Sequence, residues 1–417
     1  MGARDVDTLL HPTTNLVAHR TKGPLILERG EGVHVWDSQG RKYIEGLAGL
    51  WCTGLGYGNG ELIEAATKQM EQLSFSHLFG GRSHDQAIEL AERLKAIAPA
   101  PTSKVFFTSS GSEANDTQVK LTWYLNNARG RPEKKKIISR IKGYHGVSVA
   151  SGSLTGLPTF HADFDLPIPG VLHTECPHFW RAAEPGESED AFANRMADSL
   201  EAMIIAEGPE TVAAFIAEPL QGAGGVILPP KGYFEKVGAV LKRYDIRFIV
   251  DEVICGFGRT GNWFGSETFG AQPDTVSMAK AITSAYMPLG AVTISDDDYD
   301  VMLEGSRRNG MFAHGFTYTG HPVACAVANK ALDIYERIDI VGHVRRVAPI
   351  FQSRLHALAS HELVGNARGV GLIGGLELVA DKRTNESFPP ARGVGAKVVE
   401  FAEEEGLICR AVGGDVM

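Results

Sequence analysis

The feature that most constrains the fold of this 417-residue chain is a series of short apolar runs separated by segments with helical spacing. The runs are Val105 to Thr108, Lys136 to Arg140, Val212 to Ala217, Arg247 to Val250, Thr275 to Met278 and Ala291 to Ile294. Strands that alternate with helices form a mainly parallel sheet, because each helix returns the chain to the same edge. The central part of the chain therefore predicts an α/β fold with helices on both faces of the sheet.

The two ends of the chain have other patterns and predict a second, smaller domain. Gly30 to Glu45 has the alternation and the turn residues of a hairpin. After Gly320 come two helical segments and glycine-rich short strands, at Pro322 to Ile338, Val341 to Leu358 and Val370 to Leu378. We therefore expect a small α+β domain from residues 1–60 and 321–417, and a large domain from residues 61–320.

Charge and cysteine content exclude several classes of partner. The net charge is -9, and the longest basic block is Lys134 to Lys136, so we expect neither nucleic acid nor a membrane surface as a partner. Met1 to His19 lacks the apolar core of a signal peptide, and no later stretch is apolar enough to span a bilayer. Five cysteines are scattered without a C-x-x-C pair, which indicates reduced thiols and a cytoplasmic protein.

Ligands of parallel sheets bind beyond the carboxyl ends of the strands, so residues at those ends are the first candidates for a site. The turn Thr108 to Asn115 follows the first apolar run and leads into a helical segment, Thr117 to Ala128. Backbone N–H groups at such a helix start bind phosphate well. The alternative is a plain helix cap, with Ser110 or Ser112 as the capping residue and Gly111 giving the turn.

Two other apolar runs are each followed by a charged residue. Asp251 ends one run, and a carboxylate there would be costly to bury unless it met a cation such as a protonated pyridine nitrogen. Capping of the next turn is an equally good explanation of Asp251. Lys280 follows another run and is a candidate imine-forming amine, although most lysines are solvated surface groups. Together with the phosphate-type turn, these residues supply what pyridoxal phosphate needs, namely an anion site, a pyridinium partner and an amine.

A metal site is not predicted. His173, Cys176 and His178 lie close together in the sequence, but a fourth ligand is missing, and structural zinc sites close with four. His314 and His321 flank a polar loop without metal-ligand spacing.

Several segments match the motifs of one family. They are Ser110 to Asp116, Tyr144 to Gly146, Glu218 to Pro219, Asp251 to Gly261, Ala279 to Lys280 and His314 to Pro322. On these motifs the chain resembles the class III aminotransferases of fold type I and, within them, the pyruvate-using ω-transaminases, from about Val17 onward. The resemblance implies a fold type I transferase with a mainly parallel mixed sheet and a small α+β domain from both chain ends.

The resemblance also implies a reaction and the residues that perform it. The amino group of a primary amine or ω-amino acid passes to a keto acid, with pyruvate as the expected acceptor, by a ping-pong mechanism that uses pyridoxal 5′-phosphate (PLP). Lys280 then holds the cofactor and moves the proton, and Asp251 keeps the ring nitrogen protonated. The implied cofactor-binding residues are these two together with Ser110, Gly111, Ser112, Tyr144, His145, Glu218, Val253 and Thr317.

The same resemblance implies that Ser110, Gly111 and Ser112 hold the phosphate of the cofactor. It also implies that Tyr144 and Val253 pack on opposite faces of the cofactor ring. Thr317 reaches the cofactor of a neighbouring subunit, which implies a homodimer whose active sites lie at the interface. Pairing of dimers into tetramers stays open.

The implied substrate-binding residues are Trp51, Phe79, Tyr144 and Arg410. Trp51 matches an aromatic pocket wall, and its alternative is a core tryptophan. Arg410 matches a mobile arginine that pairs with a keto-acid carboxylate and moves away for uncharged amines. A surface arginine after a strand is an equally good explanation of Arg410 from the residues alone.

The chain departs from many relatives in three places. Alanines flank Lys280 where glycines are frequent, and Gly80 follows Phe79 where a bulkier residue is usual, so the pocket width is expected to differ. Relatives continue beyond Met417 through a further strand and helix, and the small domain is expected to continue likewise. An aminomutase or racemase of the same fold, or a non-catalytic binding protein, would share most of these motifs.

Overall fold

The computed structural model describes residues 1–412 and 415–417. Its strands are β1 (Leu27–Glu31), β2 (His34–Asp37), β3 (Lys42–Glu45), β4 (Lys104–Thr108), β5 (Lys136–Arg140), β6 (Val171–Thr174), β7 (Val212–Ala217), β8 (Arg247–Asp251), β9 (Thr275–Met278), β10 (Gly290–Ile294), β11 (Val364–Val370), β12 (Ile373–Leu378) and β13 (Leu407–Ile408). Its helices are α1 (Gly2–Thr8), α2 (Leu16–Lys22), α3 (Ala48–Trp51), α4 (Gly60–Leu73), α5 (Asp85–Ile97), α6 (Gly111–Ala128), α7 (Val149–Leu154), α8 (Phe179–Ala182), α9 (Glu189–Glu207), α10 (Tyr233–Arg243), α11 (Gly265–Phe269), α12 (Asp296–Asn309), α13 (Pro322–Arg337), α14 (Ile340–Ala357) and α15 (Val394–Glu404).

The central sheet has the strand order β4-β10-β9-β8-β7-β5-β6 within the described residues. Strand β10 runs antiparallel to both neighbours, and the strands from β9 to β6 pair in parallel. All six predicted strands are present, which confirms the mainly parallel mixed sheet. The prediction missed β6, a strand of four residues at one edge of the sheet.

Helices cover both faces of this sheet. Successive residues of a strand point to opposite faces, and Phe215 of β7 joins a large buried cluster with Phe192 of α9 and Val237 of α10. Its neighbour Ile216 joins a second buried cluster with Val119 of α6. Because every residue of β7 is buried, its sequence is a continuous apolar run rather than an alternating one.

The two ends of the chain meet in a smaller sheet. Strands β1, β2 and β3 form an antiparallel meander, and β13 adds in parallel with Leu407 opposite Ile44. The predicted hairpin corresponds to β2 and β3, and β1 extends it by a strand that the pattern did not indicate. The small α+β unit from both chain ends is therefore confirmed, whereas its boundaries at residues 60 and 320 stay a prediction.

A glycine links the central sheet to the start of α6. Gly290 opens β10, and a Cβ there would lie 2.4 Å from Thr108 Oγ1 and 2.7 Å from the backbone oxygen of Ser110. A side chain at this position would push the Ser110 turn away from the sheet. Among the described helices, none has the length and apolarity needed to cross a bilayer.

Candidate active site

The turn before α6 combines a helix cap with a phosphate-type site. Ser110 Oγ accepts a hydrogen bond from Glu113 N at 3.1 Å, and Glu113 Oε2 accepts one from Ser109 N at 2.7 Å. The first of these bonds confirms the cap for Ser110, and the amides of Gly111 and Ser112 remain in the first turn of an 18-residue helix. Capping and anion binding are therefore compatible at this turn.

Gly111 and Val253 are close neighbours in this site. A Cβ at Gly111 would lie 3.0 Å from both methyl carbons of Val253. Ser112 Oγ accepts a weak hydrogen bond from Val147 N at 3.3 Å, which ties α6 to the segment after Tyr144. The predicted phosphate turn and one predicted ring-face residue therefore lie side by side.

Asp251 is the centre of a buried hydrogen-bond network at the end of β8. Its Oδ2 accepts from His145 Nδ1 at 2.8 Å and from Asn115 Nδ2 at 2.7 Å. Its Oδ1 accepts from Val253 N at 3.1 Å, so the turn-capping alternative is also present. Because a carboxylate only accepts, His145 carries its proton on Nδ1. The side chains of Asp251 and His145 are 4% and 0% exposed, so the network fixes the carboxylate away from bulk water.

Lys280 lies directly after β9 in an unusual backbone conformation. Its φ is +53°, in the left-handed region that residues other than glycine rarely adopt. The side chain is half-buried, and its Nζ lies 5.6 Å from the centroid of the Trp51 ring. Burial lowers the pKa of Lys280 from its ordinary value, and the charges of Asp251 and Glu218 oppose part of that shift. A lowered pKa increases the neutral, nucleophilic fraction of the amine.

Glu218 supports the loop that contains Tyr144. Its carboxylate accepts from Tyr144 N and Gly222 N, each at 2.9 Å, and burial raises its pKa. Burial also raises the pKa of the Tyr144 hydroxyl, while the nearby charge of Arg410 lowers it. Arg410, just after β13, therefore lies within electrostatic range of Tyr144.

The remaining predicted residues lie in two places. Trp51 is half-buried, has a φ of +58°, and packs against a buried apolar cluster that includes Ile254. Phe79 is 49% exposed, and its ring packs against Gly315. Thr317 is exposed in the same loop before α13. Trp51 thus lies over Lys280, whereas Phe79 and Thr317 lie on an exposed surface.

The three residues weighed as zinc ligands have separate neighbours. Cys176 Sγ donates to Gln221 Oε1 at 3.4 Å, and the His173 ring lies 5.6 Å from the ring of His161. His178 Nε2 is 3.7 Å from Glu377. Burial lowers the pKa of His178 to about 3, so its ring is neutral at ordinary pH.

Two polar residues of the site were not predicted to have a role. Asn115 bridges Asp251 and the backbone oxygen of His145, to which it donates at 2.7 Å. Glu252 points away from Asp251 and accepts from Gly265 N at 2.9 Å and Ser266 Oγ at 2.5 Å. Burial raises the pKa of Glu252 to about 7. The pair Asp251-Glu252 at the end of an apolar run could have indicated that one of the two carboxylates accepts hydrogen bonds from the surrounding structure.

The residues at this edge of the sheet fit PLP. The helix start of α6 suits the phosphate, the buried Asp251 suits the pyridine nitrogen, and Lys280 supplies an amine of lowered pKa. Two buried polar atoms, His145 Nε2 and Asn115 Oδ1, have no hydrogen-bond partner in the described part of the chain. Buried polar atoms that lack a hydrogen-bond partner are expected at a place where a polar ligand binds.

Several known proteins are similar to this chain. The family model described as aminotransferase class-III matches residues 17–417. A γ-aminobutyrate transaminase 1, mitochondrial, from Oryza sativa subsp. japonica is 54% identical over 395 residues, 94% of this chain and 77% of that protein. A chloroplastic γ-aminobutyrate transaminase 3 from Solanum lycopersicum is 53% identical over 94% of this chain and 76% of its own length.

The solved structures include an ω-transaminase from Pseudomonas jessenii in complex with PMP. It is 52% identical to this chain, superposes with a TM-score of 0.98, and is matched over 100% of this chain and 92% of that chain. Proteins that share only their architecture have much lower sequence identity than this, so the match shows membership of the same family. This chain belongs to the class-III aminotransferases, enzymes that transfer amino groups with pyridoxal 5′-phosphate.

Proposed function

We propose that this enzyme moves the amino group of a primary amine or an ω-amino acid to pyruvate by a ping-pong reaction. The supporting observation is the half-buried Lys280 amine beneath Trp51, at the same sheet edge as the Asp251 network. The γ-aminobutyrate transaminases and the ω-transaminase among its relatives support this donor class. The direct test is a visible spectrum of the holoenzyme, which an amine donor should bleach and pyruvate should then restore. Bleaching without restoration would contradict pyruvate as the acceptor.

The chemistry divides between the cofactor and the chain. PLP, when bound, supplies the electron sink that makes a C–H bond of an ordinary amine acidic. In its neutral form, Lys280 Nζ can take that proton and deliver it again on the same side of the site. The pKa shift that burial causes makes this neutral form available.

Asp251 is proposed to present its negative charge to the pyridine nitrogen. His145 and Asn115 act as positioning residues. Both donate hydrogen bonds to Oδ2 of Asp251, and these bonds keep the carboxylate from rotating. A carboxylate that is fixed beforehand can keep the pyridine nitrogen protonated without reorganising during the reaction. Glu218 is proposed to act through the Tyr144 loop that it ties down.

The phosphate is proposed to lie on Ser110, Gly111 and Ser112, at the start of α6. Tyr144 and Val253 are proposed to enclose the ring from its two faces. Val253 is near enough to Gly111 for one ligand to contact both residues. Trp51 and Tyr144 would then line the substrate side, with Arg410 at its rim.

Arg410 is proposed to bind the carboxylate of keto and amino acids. Arg410→Ala should weaken pyruvate and alanine by about 1.5 to 3 kcal/mol, the usual value of a hydrogen bond to a charged group. The half-reaction with an arylalkyl amine should change little, because that donor has no carboxylate. Single-turnover bleaching by alanine and by the amine, measured separately, distinguishes the two effects.

The matched control for this prediction is Arg383→Ala, an exposed arginine that pairs with Asp381. It should leave both half-reactions unchanged. Equal losses for alanine and the amine in Arg410→Ala would mean that Arg410 supports the structure and does not bind the carboxylate.

A homodimer is proposed, with Thr317 reaching the cofactor of the second subunit. The loop around Thr317 has an apolar surface, since Tyr318 is 60% and Met311 66% exposed. Phe75 and Phe79, 41% and 49% exposed, lie beside this loop. Exposed apolar side chains grouped around one loop are typical of interfaces.

Mass photometry is expected to show twice the mass of one chain. Tyr318→Asp should shift the protein toward monomers and lower its activity in parallel, because an unpaired charge in an apolar interface is costly. Phe401→Asp is the control, since Phe401 is equally exposed at 63% but lies on α15. A fully active monomer would contradict the shared site.

A cytoplasmic location stays a proposal. All five cysteines are free in the structure, which suits a reducing compartment. The plant relatives named above are mitochondrial and chloroplastic proteins.

A further inference from the structure

Three residues near the N-terminus bring metal-ligand atoms together outside the proposed active site. Asp5 lies on α1, His19 lies on α2, and His11 lies between the two helices. His11 Nε2 is 2.9 Å from Asp5 Oδ1, and His19 Nε2 is 3.2 Å from the same oxygen. The three ligand atoms all lie within 4.8 Å of one another.

The spacing of these atoms is that of ligands around one small cation. A tetrahedral Zn²⁺ with bonds of about 2.0 to 2.1 Å places its ligand atoms about 3.3 Å apart. The two Asp5–His distances are within about 0.4 Å of that value, so small rotations of the side chains would complete the geometry. Both histidines present the same ring atom, Nε2, toward the same carboxylate oxygen.

An independent observation concerns His19. Its side chain is only 10% exposed, and its Nε2 is buried without a hydrogen bond to any residue that the structure describes. The distance to Asp5 is short, but the direction is wrong for a hydrogen bond. A buried nitrogen that faces a carboxylate without bonding to it is unsatisfied, and a cation between the two would satisfy both.

We propose that Asp5, His11 and His19 form a zinc site. Two imidazole nitrogens and one carboxylate oxygen favour Zn²⁺ over Ca²⁺ or Mg²⁺, which prefer oxygen ligands alone. The side chains of His11 and Asp5 are 26% and 18% exposed, so water can supply the fourth ligand. The bound ion would fasten α1 to α2 and so order the N-terminal segment.

Zinc titration of the metal-depleted, untagged holoenzyme tests this site. Wild type should bind one Zn²⁺ per chain, and His11→Gln and His19→Gln should each bind more than about a hundredfold more weakly, since each loses a direct ligand. Co²⁺ added in place of Zn²⁺ should give the visible absorption of a tetrahedral site in wild type only. Tryptic cleavage after the exposed Arg20 should slow with Zn²⁺ in wild type but not in His19→Gln.

The control variant is His356→Gln, an exposed histidine on α14 whose Nδ1 bonds to a backbone oxygen. It should bind zinc as wild type does, and circular dichroism should confirm that all variants are folded. If wild type binds no zinc, or if His11→Gln and His19→Gln bind it equally well, the three residues form a hydrogen-bonded group only and the proposal is wrong.

Discussion

Lys280→Ala is expected to abolish transamination while the protein stays folded. The substitution removes both the amine that holds the cofactor and the base that moves the proton, so turnover should fall by more than about 10⁴-fold. The free energy of unfolding should change by no more than about 1 kcal/mol, because burial already disfavours the charged form of the amine, so its removal costs little stability. Steady-state assays with an amine and pyruvate, together with thermal unfolding, measure the two effects.

The control for this prediction is Lys397→Ala on α15, where the lysine is exposed. Its activity should equal that of wild type. Wild-type turnover in Lys280→Ala would remove the central role of this residue, whatever the cofactor content of the variant.

Asp251→Asn should have the second-largest effect on activity. Asparagine has nearly the same shape, but it lacks the negative charge that the pyridine nitrogen needs. It also turns one acceptor oxygen into a donor, within a network where His145, Asn115 and Val253 all donate. We expect the rate to fall at least about a hundredfold, as for other fixed electrostatic contacts in active sites, while the cofactor still binds.

Asp274→Asn is the matched control, because Asp274 accepts from Phe248 N at 2.7 Å at the other end of the sheet. Asparagine can accept that bond as well, so activity should be retained. If Asp251→Asn slowed steady-state turnover by less than about tenfold, equivalent to ~1.4 kcal/mol of barrier, the proposed role of the charge would be wrong.

The strands of the central sheet could be predicted because they are buried on both faces. A strand such as β7, with six buried residues, must consist of a continuous apolar run, and that signal is strong. Strand β6 at the edge has half-buried residues at Leu172 and His173 and only four positions, so its pattern is close to that of a loop. Strand β1 is almost wholly exposed and has no apolar pattern to detect.

Parts of the candidate site could be predicted where a charged residue stands at the end of an apolar strand. Asp251 and Lys280 each end an apolar run, and a charge at such a place is unusual enough to indicate a site. Asn115 gave no such signal, since an asparagine inside a helical segment is usually solvated. Its contact with Asp251 joins residues 136 positions apart, and only the folded chain brings them together.

The N-terminal group shows the same limit on prediction. Asp5, His11 and His19 have no regular metal-ligand spacing, because a loop and parts of two helices separate them. Their convergence depends on how α1 and α2 pack, which local periodicity does not determine.

The proposed function is tested most directly by identifying the lysine that holds the cofactor. The holoenzyme is treated with borohydride, which fixes the attached cofactor irreversibly, and is then digested and mapped by mass spectrometry. We expect one modified peptide, with the label on Lys280, and no label in the Lys280→Ala protein. A label on any other lysine of the wild-type enzyme would contradict the role proposed for Lys280.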